Sequence, residues 1–299
     1  MDIVDAHHHF WDPQSNYHPW LCDSPPIPFR YGDYSSICKP FMADDYDRVA
    51  ANWNVIASVT MEGEWDPGDA IGEARWIRDL IKTSGRPAAH VAQAWLDQPD
   101  LPGLLEQLSE LEIVRSVRHK PMSTARPGEG SGGMSQASFI DGFKQLAHAG
   151  FHFDLQTPWW HLHEVRHLVN QSDDTLIIVN HTGLPSDRSE SGFKSWYAAM
   201  RALSAVEQVR VKISGLGTDM PWTVDANREI VLSTIALFGV DRCMFASNFP
   251  VDGLCASFDT IFSGFDEITR DFSADERHAL FCQTAVDTYA LTGLQDLDG

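Results

Sequence analysis

The sequence predicts an α/β protein, with residues 1–299 folded as one (β/α)₈ TIM-barrel domain. Eight short apolar runs rich in β-branched residues recur along the chain. Segments with apolar residues at three- and four-residue spacing, typical of amphipathic helices, separate these runs. No change in composition divides the chain, and no glycine-rich phosphate loop follows an early strand. The strict alternation therefore favours a closed barrel over a doubly wound open sheet.

The predicted elements follow one another through the whole chain. The strands are residues 3–10, 55–61, 88–96, 113–119, 151–156, 175–179, 209–214 and 243–247. The clearest helical patterns are residues 70–81, 139–149, 163–170, 196–206 and 230–238, and residues 274–291 are expected to form a C-terminal helix pair. Asp69, Ser138 and Asp225 stand where helix N-caps are expected.

Two connections are longer than the rest. Residues 12–43 are rich in proline and aromatic side chains, and residues 121–137 are rich in glycine and serine. Both follow strands, so in a barrel both lie on the face where active sites form. The second connection is either a lid that orders over a substrate or a mobile surface loop.

The composition excludes some classes of partner. A net charge of −20 repels nucleic acids and anionic lipid surfaces, so neither is expected to bind. No apolar run approaches the length of a membrane span, and the five scattered cysteines suggest no disulfide framework. We therefore expect a cytoplasmic protein that acts on a small molecule. The sequence leaves the oligomeric state open, and a homo-oligomer is one expectation.

The first strand carries a run of histidines. Because side chains alternate along a strand, Asp5, His7 and His9 are predicted to share one face and His8 to lie on the other. Two imidazoles two residues apart on an interior face can hold a metal ion or a water molecule. The alternatives are structural histidines in the core and the remnant of an expression tag.

Polar residues also stand at the ends of the predicted strands that follow the first one. They are Glu62, Gln93, Arg118, His119, Lys120, Asp154, Gln156, Asn180, His181, Lys212, Ser214, Ser247 and Asn248. Buried polar groups cost stability unless they find partners, so such a set is difficult to explain by packing alone. Together these residues predict a functional site at the mouth of the barrel.

The chain resembles the amidohydrolase superfamily, in particular the amidohydrolase-2 group that includes sugar-acid lactonases and 2-pyrone-4,6-dicarboxylate lactonase. The resemblance covers essentially the whole chain and begins with the opening pattern D-x-H-x-H-x-W at residues 5–11. It continues at residues 62–67, 117–119, 180–185, 212–216 and 247–251. The resemblance implies a TIM-barrel hydrolase that opens a lactone ring with activated water.

The sequence departs from the metal-dependent members of that superfamily in two places. Asn248 stands where strand eight usually ends in an aspartate that binds metal and accepts a proton from water. Gln156 stands where a binuclear site needs a histidine, so two metal ions are not expected. Lys120 remains an alternative as a bridging carbamate. The resemblance leaves open one zinc ion on His7, His9 and His181, or catalysis without a metal.

The identity of the general base is therefore an open question. Asp252, Glu62 and His181 are the candidates, and Asn248 belongs with them to the expected catalytic set. Asp252 is otherwise a loop-capping residue, Glu62 a carboxylate that orients Arg118 or a histidine, and His181 a water-orienting group. The residues expected to bind substrate are Arg118, His119, Lys120, Gln156 and Trp11.

Three functions are compatible with this set of residues. The first is hydrolysis of a lactone of a small sugar-derived or aromatic-derived acid. The second is metal-dependent decarboxylation of an aromatic or dienoic acid, and Asn248 counts against it because relatives use an aspartate there. The third is a barrel that binds a small acid without catalysis, which the loss of that aspartate keeps open.

Overall fold

The computed structural model describes residues 1–217 and 221–292. Within these residues, eight parallel strands form one sheet in the order of the sequence. They are β1 (Asp2–His8), β2 (Asn54–Met61), β3 (Ala89–Gln93), β4 (Val114–His119), β5 (His152–Leu155), β6 (Ile177–Val179), β7 (Val209–Ile213) and β8 (Cys243–Phe245). Each strand lies in one of the predicted runs, with small differences at the ends, so the predicted strand order is confirmed.

The sheet closes where the end of β1 meets the segment after β8. The His9 N–H donates a hydrogen bond to the Phe249 carbonyl at 2.7 Å, and the Asn248 N–H donates to the His7 carbonyl at 2.8 Å. His8 and Phe249 form a parallel bridge. This closure confirms the predicted barrel, and it places the histidines of β1 beside Asn248.

Helices alternate with the strands as predicted. They are α1 (Pro19–Cys22), α2 (Ala43–Val49), α3 (Gly72–Ser84), α4 (Leu101–Ser109), α5 (Ala137–His148), α6 (Arg166–Val169), α7 (Glu190–Ser204), α8 (Val224–Phe238), α9 (Phe258–Ile268), α10 (Ala274–His278) and α11 (Thr284–Tyr289). In the described part of the chain, none of them combines the length and apolar character that crossing a bilayer requires.

The predicted C-terminal helix pair is wrong. A π-helix over Ala279–Gln283 joins α10 directly to α11, so the segment is one continuous helical run with no turn between two helices. The run then places the side chain of Tyr289 among the apolar residues inside the barrel. The apolar side of this helical run is buried, which explains the long apolar pattern that suggested two helices.

The three predicted N-caps are also wrong. The N-cap positions of α3, α5 and α8 are Ile71, Gln136 and Thr223. Of these three, Thr223 caps with its side chain, accepting from the Ala226 N–H at 3.2 Å. Asp225 lies within the first turn of α8, where a carboxylate still interacts favourably with the helix dipole.

Apolar side chains fill the barrel and cover its outer face. The interior holds Val4, Ile178 and Met244 together with Tyr289. Outside, helix residues such as Phe143 pack on strand residues such as Phe153. Because the interior is filled, as is usual in such barrels, small molecules can bind at an end of the barrel and not along its axis.

The face of β1 on which Asp5 lies differs from the prediction. The pairing of β1 with β2 shifts register between Asp5 and His8, which breaks the simple alternation of side chains. Asp5 accepts hydrogen bonds from the hydroxyl groups of Tyr46 on α2 (2.8 Å) and Ser247 (2.6 Å). Asp5 therefore faces the helix layer with His8, while His7 faces the interior with His9.

Candidate active site

A cavity of about 270 Å³ lies at the carboxyl ends of the strands. Six residues predicted for the site line it: His9, Arg118, Lys120, Gln156, His181 and Asn248. The other lining residues are Trp20, Ile27, Phe29, Arg30, Gly63, Glu64 and Val251. The structure thus brings together residues from the ends of six different strands with a segment from the long connection after β1.

Strained backbone is concentrated at this cavity. Glu64, His181 and Asn248 all line it, and their φ angles are 57°, 55° and 54°. Side chains other than glycine rarely adopt this left-handed conformation, which costs of order 1–3 kcal/mol per residue and persists at functional sites. Strain at three strand ends around one cavity supports its assignment as the candidate active site.

His9 has a defined protonation pattern. Its Nδ1 lies 3.1 Å from the Met61 carbonyl oxygen, which can only accept, so Nδ1 carries the hydrogen. Burial, and then the nearby Arg118 guanidinium, lower the pKa of His9 well below its usual value. The neutral ring therefore keeps an unshared electron pair on Nε2, and His9 is one of the residues that line the cavity.

His181 and His7 complete a cluster of three imidazoles. The His7 ring centroid lies 4.6 Å from that of His181 and 5.2 Å from that of His9. The Nδ1 atom of His181 lies 2.9 Å from the Ser214 hydroxyl oxygen. A Cβ atom on Gly215 would lie 2.4 Å from the same nitrogen, so the His181 ring requires glycine there. Burial, and then the charge of Arg30, hold the pKa of His181 well below its usual value.

Arg118 and Glu62 form a buried ion pair. The Arg118 Nε–H donates to Glu62 Oε1 at 2.5 Å, and an Nη2–H donates to the Glu62 carbonyl at 2.6 Å. Burial alone would raise the pKa of Glu62, but the positive charges of Arg118 and Lys120 lower it to about 2. Both contacts commit Glu62 to Arg118, so the geometry favours the orienting role for Glu62.

Asn248 links the cavity to Asp252. The Asn248 amide donates to Asp252 Oδ1 at 2.7 Å, and the Tyr31 hydroxyl donates to the same oxygen at 2.7 Å. Burial raises the pKa of Asp252, although the charge of Arg30 opposes this. Asp252 therefore lies behind Asn248 and orients its side chain, which leaves the side-chain oxygen Oδ1 of Asn248 as an acceptor for the cavity.

Two predicted substrate-binding residues lie elsewhere. His119 stacks on Phe139 with ring centroids 5.1 Å apart, and its Nδ1 accepts from the Leu96 N–H, so it faces the helix layer. Strand alternation explains this, because Arg118 beside it faces the cavity. Trp11 is fully buried and donates to the Ile37 and Lys39 carbonyls, so it anchors the long connection after β1. The prediction that these two residues contact substrate does not fit the geometry.

Comparison with known proteins identifies the family. A family model described as Amidohydrolase matches residues 4–291. The chain belongs to the amidohydrolase family. This confirms the resemblance found in the sequence, and it makes the protein an enzyme of the hydrolase class, which removes the alternative of a non-catalytic barrel.

Relatives of this amidohydrolase cover nearly its whole length. It is 37% identical over 292 residues to uncharacterized protein y4mH of Sinorhizobium fredii, with 96% of this chain and 98% of that protein covered. It is 25% identical over 302 residues to L-fucono-1,5-lactonase of Burkholderia multivorans, with 96% of each covered. A solved amidohydrolase from Burkholderia multivorans with bound zinc superposes with a TM-score of 0.79 at 24% identity, over 97% of this chain and 100% of that one. The last similarity concerns the fold.

The predicted zinc ligands of this amidohydrolase are the three imidazoles of His7, His9 and His181. Both ring nitrogens of His7 lack a hydrogen-bond partner, which is the one feature that favours a ligand there. However, within residues 1–217 and 221–292 no group of three or more His, Cys, Asp or Glu side chains is arranged to hold a metal ion. One zinc ion on His7, His9 and His181 therefore stays a prediction, and solved proteins of the same fold contain zinc or manganese.

Arg30 is the main cavity residue that the sequence did not predict. It comes from the connection of residues 12–43, together with Trp20 and Phe29. The path of a long connection depends on tertiary contacts that a single sequence does not reveal. The sequence did indicate the location of this segment. Because residues 12–43 follow β1 directly, they were predicted to lie on the catalytic face.

Proposed function

We propose that this amidohydrolase opens the ring of a small lactone by adding a water molecule to its ester carbonyl. The observation that carries the proposal is the hydrogen bond from His9 Nδ1–H to the Met61 carbonyl. It leaves Nε2 of a neutral imidazole as a proton acceptor at a cavity that also holds a guanidinium group. A general base and a stabilised cation beside one cavity suit hydrolysis of an ester.

The first step adds water to the lactone carbonyl carbon. His9 Nε2 accepts one proton from the water, while His181 and the side-chain oxygen Oδ1 of Asn248 hold the water in position. The new C–O bond forms as the carbonyl π electrons move onto the carbonyl oxygen. His9 is then an imidazolium. The former carbonyl carbon of the lactone is tetrahedral, and its oxygen is an alkoxide.

Arg118 stabilises the negative charge that develops on that oxygen. Glu62 accepts from the Arg118 Nε–H and one Nη2–H, and Gln156 Oε1 accepts from an Nη1–H at 3.3 Å, which leaves the remaining N–H groups for the cavity. Because the ion pair is buried and fixed, the guanidinium need not reorganise as charge develops. The Glu62 carboxylate acts here as a positioning group for Arg118.

The second step breaks the bond between the tetrahedral carbon and the ring oxygen. The alkoxide electrons re-form the carbonyl, and the His9 imidazolium returns its proton to the departing ring oxygen. The product is an open-chain hydroxy acid, whose carboxyl group ionises and releases a proton near neutral pH. No step requires an oxidant, a reductant or a second substrate.

The comparisons support this proposal without naming the substrate of this chain. A curated relative that covers 96% of the chain is named L-fucono-1,5-lactonase. At 25% identity we use that name only to favour lactones as the substrate class. Metal-dependent decarboxylation, the second function predicted from sequence, is the alternative; Asn248, in place of the aspartate that such enzymes use, counts against it.

A lactone panel tests the proposal. The purified enzyme, with and without prior chelator treatment, is added to sugar-acid lactones and pyrone lactones in a weakly buffered pH-indicator solution. We expect proton release from at least one lactone, at the same rate after chelation. Aromatic acids are assayed in parallel for loss of their ultraviolet absorbance. Decarboxylation without lactone hydrolysis would contradict the proposal, and loss of lactone hydrolysis on chelation would contradict the metal-free mechanism.

A further inference from the structure

Among the described residues, each charged side chain that lines the cavity pairs with an opposite charge except one. Arg118 pairs with Glu62, and Lys120 pairs with Glu64. The pKa of each cavity histidine is lowered, so these rings contribute no charge at neutral pH. In the part of the chain that the structure describes, Arg30 lines the same cavity and forms no salt bridge.

Asp252 is the carboxylate whose charge acts on Arg30, yet it is committed elsewhere. Its Oδ1 accepts from the Tyr31 hydroxyl and the Asn248 amide, both at 2.7 Å, and its side chain also accepts from the Gly215 N–H. Among the described residues, Asp252 makes no ion pair with Arg30. The guanidinium of Arg30 therefore keeps its hydrogen-bond donors for another acceptor.

Arg30 is held over the cavity by the residues on either side of it. Phe29 stacks on Trp20 with ring centroids 5.6 Å apart, and Trp20 Nε1–H donates to the Gly63 carbonyl at 2.8 Å. Tyr31 is tied to Asp252, 221 residues away in the sequence. Although Arg30 itself is solvent-exposed, its backbone is anchored on both sides to strand ends of the barrel.

The guanidinium reaches the imidazole cluster. A Cβ atom built on Gly215 would lie 2.9 Å from Arg30 Nη2 and 2.4 Å from His181 Nδ1, so both groups crowd the same glycine. The guanidinium carbon of Arg30 also lies 4.6 Å from the centre of the Tyr31 ring, and this cation–π contact stabilises the position of the guanidinium group. Arg30 thus approaches the place where the reacting ring would lie.

We infer that Arg30 binds a carboxylate carried by the substrate, so that the enzyme prefers acidic lactones to neutral lactones of the same ring. A guanidinium offers two parallel N–H groups to one planar carboxylate, and this fork is stronger than bonds between neutral groups. The predicted preference for acidic lactones rests on the proposed lactone hydrolysis. The predicted binding of a carboxylate ligand by Arg30 is independent of that hydrolysis.

The binding arm of the test uses ligands that cannot be hydrolysed. Tetrahydrofuroate and tetrahydrofurfuryl alcohol share one ring and differ in carrying a carboxylate or a hydroxymethyl group. We expect the wild-type enzyme to bind tetrahydrofuroate more tightly, and Arg30→Gln to weaken this binding about 10- to 100-fold with Arg30→Lys in between. Binding of the alcohol should change less than about threefold. Arg201→Gln, at an exposed arginine of α7, is the matched control.

The kinetic arm compares gluconolactone and glucarolactone of the same ring size. For Arg30→Gln we expect kcat/KM to fall about 10- to 100-fold on glucarolactone, mainly through KM, and less than about threefold on gluconolactone. An equal loss on both lactones would mean that Arg30 binds the product carboxylate or acts on the histidines, and would overturn the inference.

The two arms separate the two proposals. If tetrahydrofuroate binding depends on Arg30 and neither lactone is hydrolysed, the assignment of Arg30 to carboxylate binding stands and the lactonase proposal loses support. If the wild-type enzyme does not bind tetrahydrofuroate, or Arg30→Gln binds it equally well, the inference is wrong whatever lactones are hydrolysed.

Discussion

The nitrogen of His9 that carries the hydrogen determines what this side chain can do. A backbone carbonyl cannot donate, so the contact with Met61 assigns the hydrogen to Nδ1 and the electron pair to Nε2. His181 lacks such an assignment, because its partner Ser214 can either donate or accept. For this reason we assign the proton transfer to His9 and the positioning of water to His181.

The pH dependence of kcat/KM follows from the neutral state of His9. Burial, then Arg118, lower its pKa, and a base acts only while it is unprotonated. We expect kcat/KM on a reactive lactone to stay constant from about pH 8 to about pH 6.5 and to decline only at lower pH, where an ordinary histidine is already protonated. Initial rates corrected for spontaneous hydrolysis measure this. A decline centred near about pH 6.5 would indicate an unperturbed histidine and contradict the assignment.

Glu62 offers a test of positioning against base catalysis. Glu62→Gln leaves the buried guanidinium of Arg118 without its counter-charge, which should cost roughly 3–5 kcal/mol of unfolding free energy and lower kcat. The acid limb of the kcat/KM profile should remain and move to lower pH, because the Glu62 charge that raises the pKa of His9 is removed. Chemical denaturation and the pH profile measure the two effects. Loss of the acid limb in this variant would instead make Glu62 the base.

At the scale of single elements, local patterns predicted the strands and most helices because apolar periodicity is a property of neighbouring residues. The face of Asp5 was not predictable in this way, since the register shift in β1 arises from its pairing with β2. The N-cap of α8 depends on where the backbone enters the helix, and Thr223 reaches that position two residues before the predicted Asp225.

The connection of residues 121–137 is fixed to the segment after β5. Glu164 accepts hydrogen bonds from the N–H groups of Gly132 (2.5 Å) and Ser135 (3.1 Å), and His161 Nε2 accepts from the Thr124 N–H. None of the residues that line the described cavity comes from this connection. The geometry thus favours an anchored surface loop over a lid.

Release of this connection should affect dynamics more than activity. Glu164→Ala removes two charge-assisted hydrogen bonds, so we expect amide hydrogen exchange in residues 123–135 to accelerate at least about tenfold. The value of kcat/KM should change less than about threefold. Hydrogen exchange followed by mass spectrometry and lactone kinetics measure the two quantities, with the exposed Glu190→Ala as control. A large fall in kcat/KM alongside faster exchange would restore the lid hypothesis.

At the scale of the whole molecule, the sequence predicted the barrel and placed the strand ends at one mouth. That prediction was possible because eight alternating units can bury their apolar faces in few ways. It could not reveal which residues reach the cavity from a long connection, and so it missed Arg30. The sequence offered the pairing of Glu62 with Arg118 as one alternative but could not select it, since 56 residues separate the two.

Stability should fall as the solution is acidified. Burial lowers the pKa of His7, His8, His9, His90 and His181, in His8 and His90 to about 3. Below the ordinary histidine pKa the unfolded chain binds protons that the folded chain does not, so the free energy of unfolding decreases by up to about 1.4 kcal/mol per pH unit for each residue. Urea unfolding between about pH 7 and pH 4.5 measures the slope. Constant stability over that interval would mean that these rings are solvated.

The most direct test of the account is the hydrolysis rate of one reactive lactone by the wild-type enzyme and by His9→Gln, followed as proton release. We predict that His9→Gln stays folded by circular dichroism and loses at least about 100-fold in kcat. The exposed His163→Gln should match the wild type. If His9→Gln opens the lactone at nearly the wild-type rate, the imidazole of His9 does not activate the water and the proposed mechanism is wrong.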